Sequence, residues 1–143
     1  MTVTNTAAFG QVPNVGHAAL TTAKSAPLSG GTNTVPLFTA GANGSLVNGI
    51  AAIPRNTLSN AAHIAVYAST DNGTTVSLVA IGLLAAWTFA ATTSPVPLNL
   101  VNLNGAVISV TNPLYMPAGM KLYASSSQAL ADGILVTANG VDL

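Results

Sequence analysis

Apolar and polar side chains alternate along much of this chain, in short runs separated by turn sequences. The clearest case is residues 62–81, where two alternating runs flank Asp71-Asn72-Gly73. Asp, Asn and Gly tolerate the positive φ that tight hairpin turns need, so this stretch predicts a β-hairpin. The residues expected on one face are Ile64, Val66 and Ala68 in the first run and Val76, Leu78 and Ala80 in the second.

The same alternation recurs in later runs, at residues 106–111, 120–125 and 134–138, and more weakly at 34–40, 46–53, 87–90 and 96–103. Asn-Gly or Asp-Gly pairs stand near most of them. Many short strands with regular turn signals are typical of a β-sandwich or barrel. We therefore predict an all-β, single-domain β-sandwich of jelly-roll type.

The N-terminal residues differ from this pattern. Met1 to Val15 lacks the basic region and continuous apolar region of a secretory signal. We expect residues 1–17 to form an extended arm and residues 18–143 to form the sandwich domain. The arm is interpreted either as a frayed terminus or as a segment that reaches onto a neighbouring subunit.

One apolar run, Val76 to Ala91, could be either a membrane-spanning helix or buried β-structure. A membrane-spanning helix needs about 20 apolar residues and usually has basic residues at one flank. This run is shorter, and no Lys or Arg lies between Arg55 and Lys121. We expect a strand, a bend or helical turn around Gly82–Ala86 and a second buried strand, and no membrane contact.

Charge is unusually scarce. The 143 residues include three Lys or Arg and three Asp, which is 4% of the chain, whereas ordinary soluble domains have about 25%. A neutral surface loses little solvation when it is buried against another protein. The composition therefore indicates a protein that works in an assembled state. Scattered basic residues and zero net charge also predict no binding to nucleic acid.

Candidate chemistry is equally scarce. The chain has two His, three Asp, no Glu and no Cys, and no GxSxG nucleophile elbow. His17 lies in the expected arm, and His63 lies on the face opposite Ile64. Asp71-Asn72-Gly73 lacks the later acidic ligands of a calcium loop. We expect no enzymatic activity, no metal and no cofactor.

The candidate interface residues are therefore chosen from the apolar and aromatic side chains. Phe9, Val12 and Val15 lie in the expected arm, and Tyr67 and Tyr123 lie on the more polar faces of their strands. We expect these residues to contact neighbouring subunits. An alternative is that exposed tyrosines, together with Trp87, form a platform that binds a glycan.

Three segments carry a resemblance to a known family: TAGANGS (Thr39 to Ser45), the hairpin AVYASTDNGTTVSLVA (Ala65 to Ala80) and LYMPAGMKLYASSS (Leu114 to Ser127). With the closing strand ILVTANGVDL (Ile134 to Leu143), these segments resemble small β-rich virion structural proteins of tailed bacteriophages over roughly residues 34 to 143. Those relatives carry Arg or Lys before the D-G turn and an aromatic residue after P-A-G. This chain has small apolar residues and Met120 at those places, so the polar contacts of the family are not implied here.

The resemblance implies a non-enzymatic β-sandwich that decorates or cements a viral capsid. The implied partners are the major capsid protein and sister copies in a homo-oligomer, with a trimer as one option. The implied location is the virion, after synthesis in the host cytoplasm. The alternative left open is a neck, tail or receptor-binding jelly-roll module of a virion.

Overall fold

A computed structural model describes residues 12–24 and 33–143, and within these ranges every regular element is a β-strand. The strands are β1 Val12–Leu20, β2 Val35–Thr39, β3 Ser45–Pro54, β4 Ala62–Ser69, β5 Ser77–Leu84, β6 Leu98–Asn99, β7 Val101–Asn102, β8 Leu114–Met116, β9 Lys121–Ser126 and β10 Ile134–Asp142.

The strands form two antiparallel sheets that pack face to face. Sheet A has the order β1-β10-β3-β6, and β8 also pairs with β3; sheet B has the order β2-β9-β4-β5-β7. The pairs are nested along the chain: β1 pairs with β10, β2 with β9, β3 with β8 and β4 with β5. This nesting is that of a jelly roll. The predicted fold class is therefore confirmed.

The core lies between the two sheets and follows from the alternation in the sequence. Every second residue of a strand faces the opposite sheet, and these positions hold aliphatic side chains. The largest fully buried aliphatic residues are Leu20, Val47, Ile50, Ile64, Val66, Leu100, Met116, Leu122, Ile134 and Val136. At about 25 cal/mol per Å² of buried apolar surface, this layer is the main favourable contribution to folding.

Strand β1 takes in residues that the sequence analysis assigned to the arm. Its register with β10 runs without interruption from Val12 opposite Asp142 to Leu20 opposite Ile134. Residues 12–17 are thus part of the sandwich, because β10 supplies a ladder of backbone hydrogen bonds along all of β1. The remainder of the predicted arm, including Phe9, lies outside the described residues.

The predicted hairpin is present as β4 and β5, with its turn at residues 70–76, but one of its faces was predicted wrongly. A register shift places Leu78 opposite Tyr67 and Ala80 opposite Val66. Because directly opposed residues share a face, Leu78 lies on the outer face and Ala80 lies in the core. A β-bulge inserts one residue and so reverses the alternation, which the sequence pattern could not show.

Two further predictions differ from the structure. Residues 106–111 form no regular strand: Val107 and Ser109 make isolated bridges, to Val101 and Asn112. The apolar run 76–91 contains β5, which continues through the expected bend to Leu84 and is followed by a loop with an isolated bridge at Trp87.

Candidate protein–protein interface

The outer face of sheet A is a regular surface formed by strands β1, β10, β3, β8 and β6. Register partners share a face, so the pairings of β1, β10, β3, β8 and β6 define its members. They are Pro13, Val15, His17, Ala19, Leu135, Thr137, Asn139, Val141, Leu46, Gly49, Ala51, Ile53, Tyr115 and Asn99. With a rise of about 3.3 Å per residue and about 4.8 Å between strands, the face measures roughly 30 Å by 15 Å.

None of the Asp, Lys or Arg residues of the chain lies on this face. The charged residues stand at or just beyond strand ends: Arg55 follows β3, Asp132 precedes β10, Asp142 ends β10, Asp71 follows β4, Lys121 begins β9 and Lys24 follows β1. These six charged side chains therefore lie towards the two ends of the sandwich, and the flat surface between them carries no Asp, Lys or Arg.

Apolar side chains are exposed on this neutral face. Val15 is 64% exposed and Tyr115 is 58% exposed, and they lie on the flanking strands β1 and β8. Leu46, Ile53 and Val141 are partly exposed between them. A partner that covers the face removes apolar surface from water without desolvating an ion, and that combination favours association.

The structure places the predicted interface residues of the described chain in two groups: Val12 and Val15 in β1 of sheet A, and Tyr67 and Tyr123 in sheet B. Val12 and Val15 lie at the exposed start of β1, and Val15 is part of the outer face of sheet A. Tyr115, Thr137 and Asn139 were not singled out from the sequence. Their alternation within β8 and β10 was visible, but their shared face depends on the strand order.

Tyr67 and Tyr123 were expected to be exposed, and this expectation is wrong. Both are buried, although they lie opposite each other on the outer face of sheet B as predicted. The turn after β4 folds back over this face: a Cβ built on Gly73 would lie 2.9 Å from Cζ of Tyr123. The Ser69 hydroxyl holds the turn by accepting a hydrogen bond from the Gly73 N–H at 2.9 Å.

Burial and one hydrogen bond act in opposite directions on the phenol of Tyr67. Desolvation raises the pKa of its phenol, and a hydrogen bond with the Ser125 hydroxyl, at 3.2 Å, opposes that shift. The phenol thus stays neutral at physiological pH and contributes packing and one hydrogen bond to sheet B.

A polar network closes the end of sheet A where β1 starts and β10 ends. Asp142 Oδ1 accepts hydrogen bonds from the Ser45 hydroxyl at 2.5 Å and from Asn14 Nδ2 at 2.8 Å. The Ser45 hydroxyl in turn accepts the Gly41 N–H at 2.9 Å. These bonds, that from Ser45 first, lower the pKa of Asp142. Three segments far apart in the sequence are thereby joined through one carboxylate.

We expect acid to destabilise the protein mainly through Asp71 and Asp142. The Thr75 N–H and the Ser69 hydroxyl lower the pKa of Asp71 to about 2. A carboxyl whose folded-state pKa is depressed stabilises the fold above its unfolded value of about 3.9, and this contribution is lost as the pH falls through the folded value. Stability should therefore decline from about pH 4 towards pH 2.

Urea unfolding midpoints measured across this pH window check the expectation. The double variant D71N/D142N should show a flatter pH dependence than the natural chain. D132N, which removes one carboxylate where the double variant removes two, serves as the control for the loss of a carboxylate elsewhere. Equal acid sensitivity in the natural chain and the double variant would contradict the assignment.

Other kinds of site find no support in the described residues. Residues 12–24 and 33–143 contain no cluster of three or more His, Cys, Asp or Glu that could hold a metal ion. Across the same residues there is no helix with the length and apolar character to cross a membrane. The sequence matches no protein-family model and no curated protein.

Proposed function

We propose that this protein is a structural component of a virion that decorates or cements a capsid by docking the outer face of sheet A against the shell. The observation that supports the proposal most directly is the segregation of charge. Ions stand at the ends of the sandwich, and a broad neutral face with exposed Val15 and Tyr115 is left between them. The resemblance of residues 34–143 to small phage structural proteins agrees with this reading.

In the proposed mechanism each copy buries the outer face of its sheet A against the capsid, and the contacts of many copies act together. One copy presents roughly 450 Å² of sheet, which is about half of what each partner buries in a standard interface. A single contact of this size is weak. Copies that also contact one another on a closed shell bind together, and their combined avidity exceeds the affinity of each copy by orders of magnitude.

The first experiment is quantitative mass spectrometry of purified virus particles that carry this gene. We expect the protein at many copies per particle, in a fixed ratio to the major capsid protein. Absence from purified particles would overturn the proposal. A copy number as low as a single ring of subunits would instead assign the protein to the neck or tail.

Charge placed on the neutral face should release the protein from particles. Asn139 is exposed and lies beside Val15 on the outer face of sheet A, so N139K keeps the fold and buries an ion on docking. We expect at least about a tenfold loss of occupancy, because an unpaired buried charge costs several kcal/mol. The matched control is T70K, a Lys in the exposed turn after β4. Equal occupancy of N139K and natural particles would count against docking through this face.

A glycan-binding module is a second candidate, and one observation favours it. Phe89 is 60% exposed and packs edge-on against half-buried Trp87, with ring centroids 5.8 Å apart. Exposed aromatic rings can stack on sugar faces. Binding on a glycan array that disappears in F89A would favour this function, and an array without signal would remove it.

A further inference from the structure

Strand β1 forms one edge of sheet A in the described part of the chain. β10 pairs with one side of β1, and no described strand pairs with the other. β1 is nine residues long and has an unbroken register. The edges on the opposite side of the sandwich are formed by β6, β7 and β8, which have two or three residues each.

Two backbone hydrogen bonds establish which groups of β1 face the open side. The Arg55 N–H donates to the Gly133 carbonyl at 3.3 Å, and this pair continues the register of β3 with β10. Backbone groups of successive strand residues point to opposite sides, so residues 135, 137 and 139 bond to β3, and residues 134, 136 and 138 bond to β1. A second bond supports this assignment. The Leu100 N–H donates to the Ile50 carbonyl at 2.9 Å, so the backbone groups of Ile50, which lies opposite Ala138, face away from β10.

It follows that Gly16, Ala18 and Leu20 bond to β10, and that Val15, His17 and Ala19 direct their N–H and C=O groups away from the sheet. Pro13 also directs its backbone groups away from the sheet, like Val15, His17 and Ala19. Proline has no N–H, but an N–H at this position would not bond to β10, so the β1–β10 pairing loses no hydrogen bond. The open edge of β1 therefore carries three consecutive donor and acceptor positions, centred on His17.

The two edges at this side of the sandwich differ in how they are protected. β2 carries Pro36, a register shift between Pro36 and Phe38, and a Thr39 carbonyl that accepts Asn14 Nδ2 at 3.0 Å. Proline, bulges and occupied carbonyls are the devices that keep edge strands from pairing. β1 carries Pro13 near its start, but its stretch from Val15 to Ala19 has no proline, no Asp, Glu, Lys or Arg, and no bulge. An open groove of about 340 Å³ lies between residues 14–17 and residues 36–39.

We propose that the open edge of β1 pairs with β1 of a second copy, antiparallel across a twofold axis. This inference rests on the proposed assembly role and names the contact between sister copies. Pairing that uses all three free positions places His17 opposite His17, and Val15 opposite Ala19. The strand contains no Asp, Glu, Lys or Arg, so the two copies of His17 are the only ionisable side chains that meet across the pair.

The pairing also completes the docking surface. It joins two copies of sheet A edge to edge, so their neutral outer faces become one continuous face of roughly 900 Å². That area matches the approximately 800 Å² that one partner contributes to a standard interface. The twofold pair, rather than the single chain, then has the surface that stable docking requires.

Cysteine cross-linking tests the pairing in the free protein, because the natural chain contains no cysteine. In the proposed pair the two His17 Cα atoms lie about 5 Å apart, within the range of a disulfide, so H17C should become a covalent dimer on mild oxidation. The control is T137C. Thr137 lies beside His17 on the same face but one strand inward, so its copies are about 14 Å apart.

Light scattering gives the second measurement. The natural chain should form a dimer whose population rises with protein concentration. H17P removes one N–H from the open edge of each copy, so the dissociation constant of its dimer should be at least tenfold higher than that of the natural chain. The far-ultraviolet circular dichroism of H17P should match that of the natural chain, which shows that the fold is retained. A monomeric natural chain, or H17C that cross-links no faster than T137C, would overturn the proposal. Dimers that never associate with particles would overturn only the proposed function, and monomers on particles would overturn only the pairing.

Discussion

Replacing Gly16 with alanine should destabilise the protein by about 3 kcal/mol, a large fraction of the stability of a domain of this size. A Cβ at this position would lie 1.9 Å from the Leu37 carbonyl oxygen, 2.9 Å from its carbon and 3.0 Å from the Phe38 Cα. All three are backbone atoms of β2 and cannot rotate away as a side chain would. The two sheets would have to separate along the β1–β2 side of the sandwich.

The matched control for G16A is G49A. Gly49 also lies in a strand of sheet A, and a Cβ built on it has no atom within 4 Å. Alanine there should leave stability unchanged or raise it slightly, because glycine costs about 0.5–1 kcal/mol in a strand. Urea denaturation with linear extrapolation measures both variants. G16A unfolding within about 0.5 kcal/mol of the natural chain would show that the sheets do not approach this closely.

Gly16 also explains why β1 was not predicted from the sequence. The segment VPNVGHAAL contains Pro13, Asn14 and Gly16, which are residues typical of turns and loops. It is a strand because β10 pairs along its full length and because β2 passes within contact of Gly16. Both reasons are tertiary, and local propensity yields to such contacts. The predicted boundary after residue 17 consequently fell inside β1.

Alternation predicted the strands whose inner faces form the core. β4, β9 and β10 appear where the period of two was clearest, and the turn after β4 is the predicted Asp71-Asn72-Gly73. Periodicity carries no information on the order of strands or on bulges. The register shift opposite Tyr67 and the nested pairing of β3 with β8 therefore could not be predicted from the sequence.

The candidate interface was predicted only in part for the same reason. Val15 was chosen as an apolar residue of the expected arm; it is 64% exposed, but it lies in strand β1. The other residues of the outer face of sheet A come from β10, β3 and β8, which are far from Val15 in the sequence. Tyr67 and Tyr123 were placed on the correct face, but the turn that covers them follows from the fold. Scarce charge predicted a neutral contact surface without indicating which surface it is.

Leu100 is the residue whose truncation should have the other large effect. It lies between β6, which pairs with β3 in sheet A, and β7, which pairs with β5 in sheet B, so this short segment joins the two sheets. Its side chain is fully buried, its N–H donates to the Ile50 carbonyl at 2.9 Å and its carbonyl accepts the Ile108 N–H at 3.2 Å.

We expect L100A to lower the free energy of unfolding by about 3–4 kcal/mol, because the backbone bonds hold the segment in place and the cavity cannot collapse. L103A is the matched control: Leu103 lies on the same segment and is 59% exposed, so its truncation should cost less than about 0.5 kcal/mol. Hydrogen exchange locates the effect, since L100A should speed exchange at residues 98–108 before β4 or β9 is affected. A loss as small as that of L103A would mean that the buried Leu100 side chain contributes little to holding the two sheets together on this side.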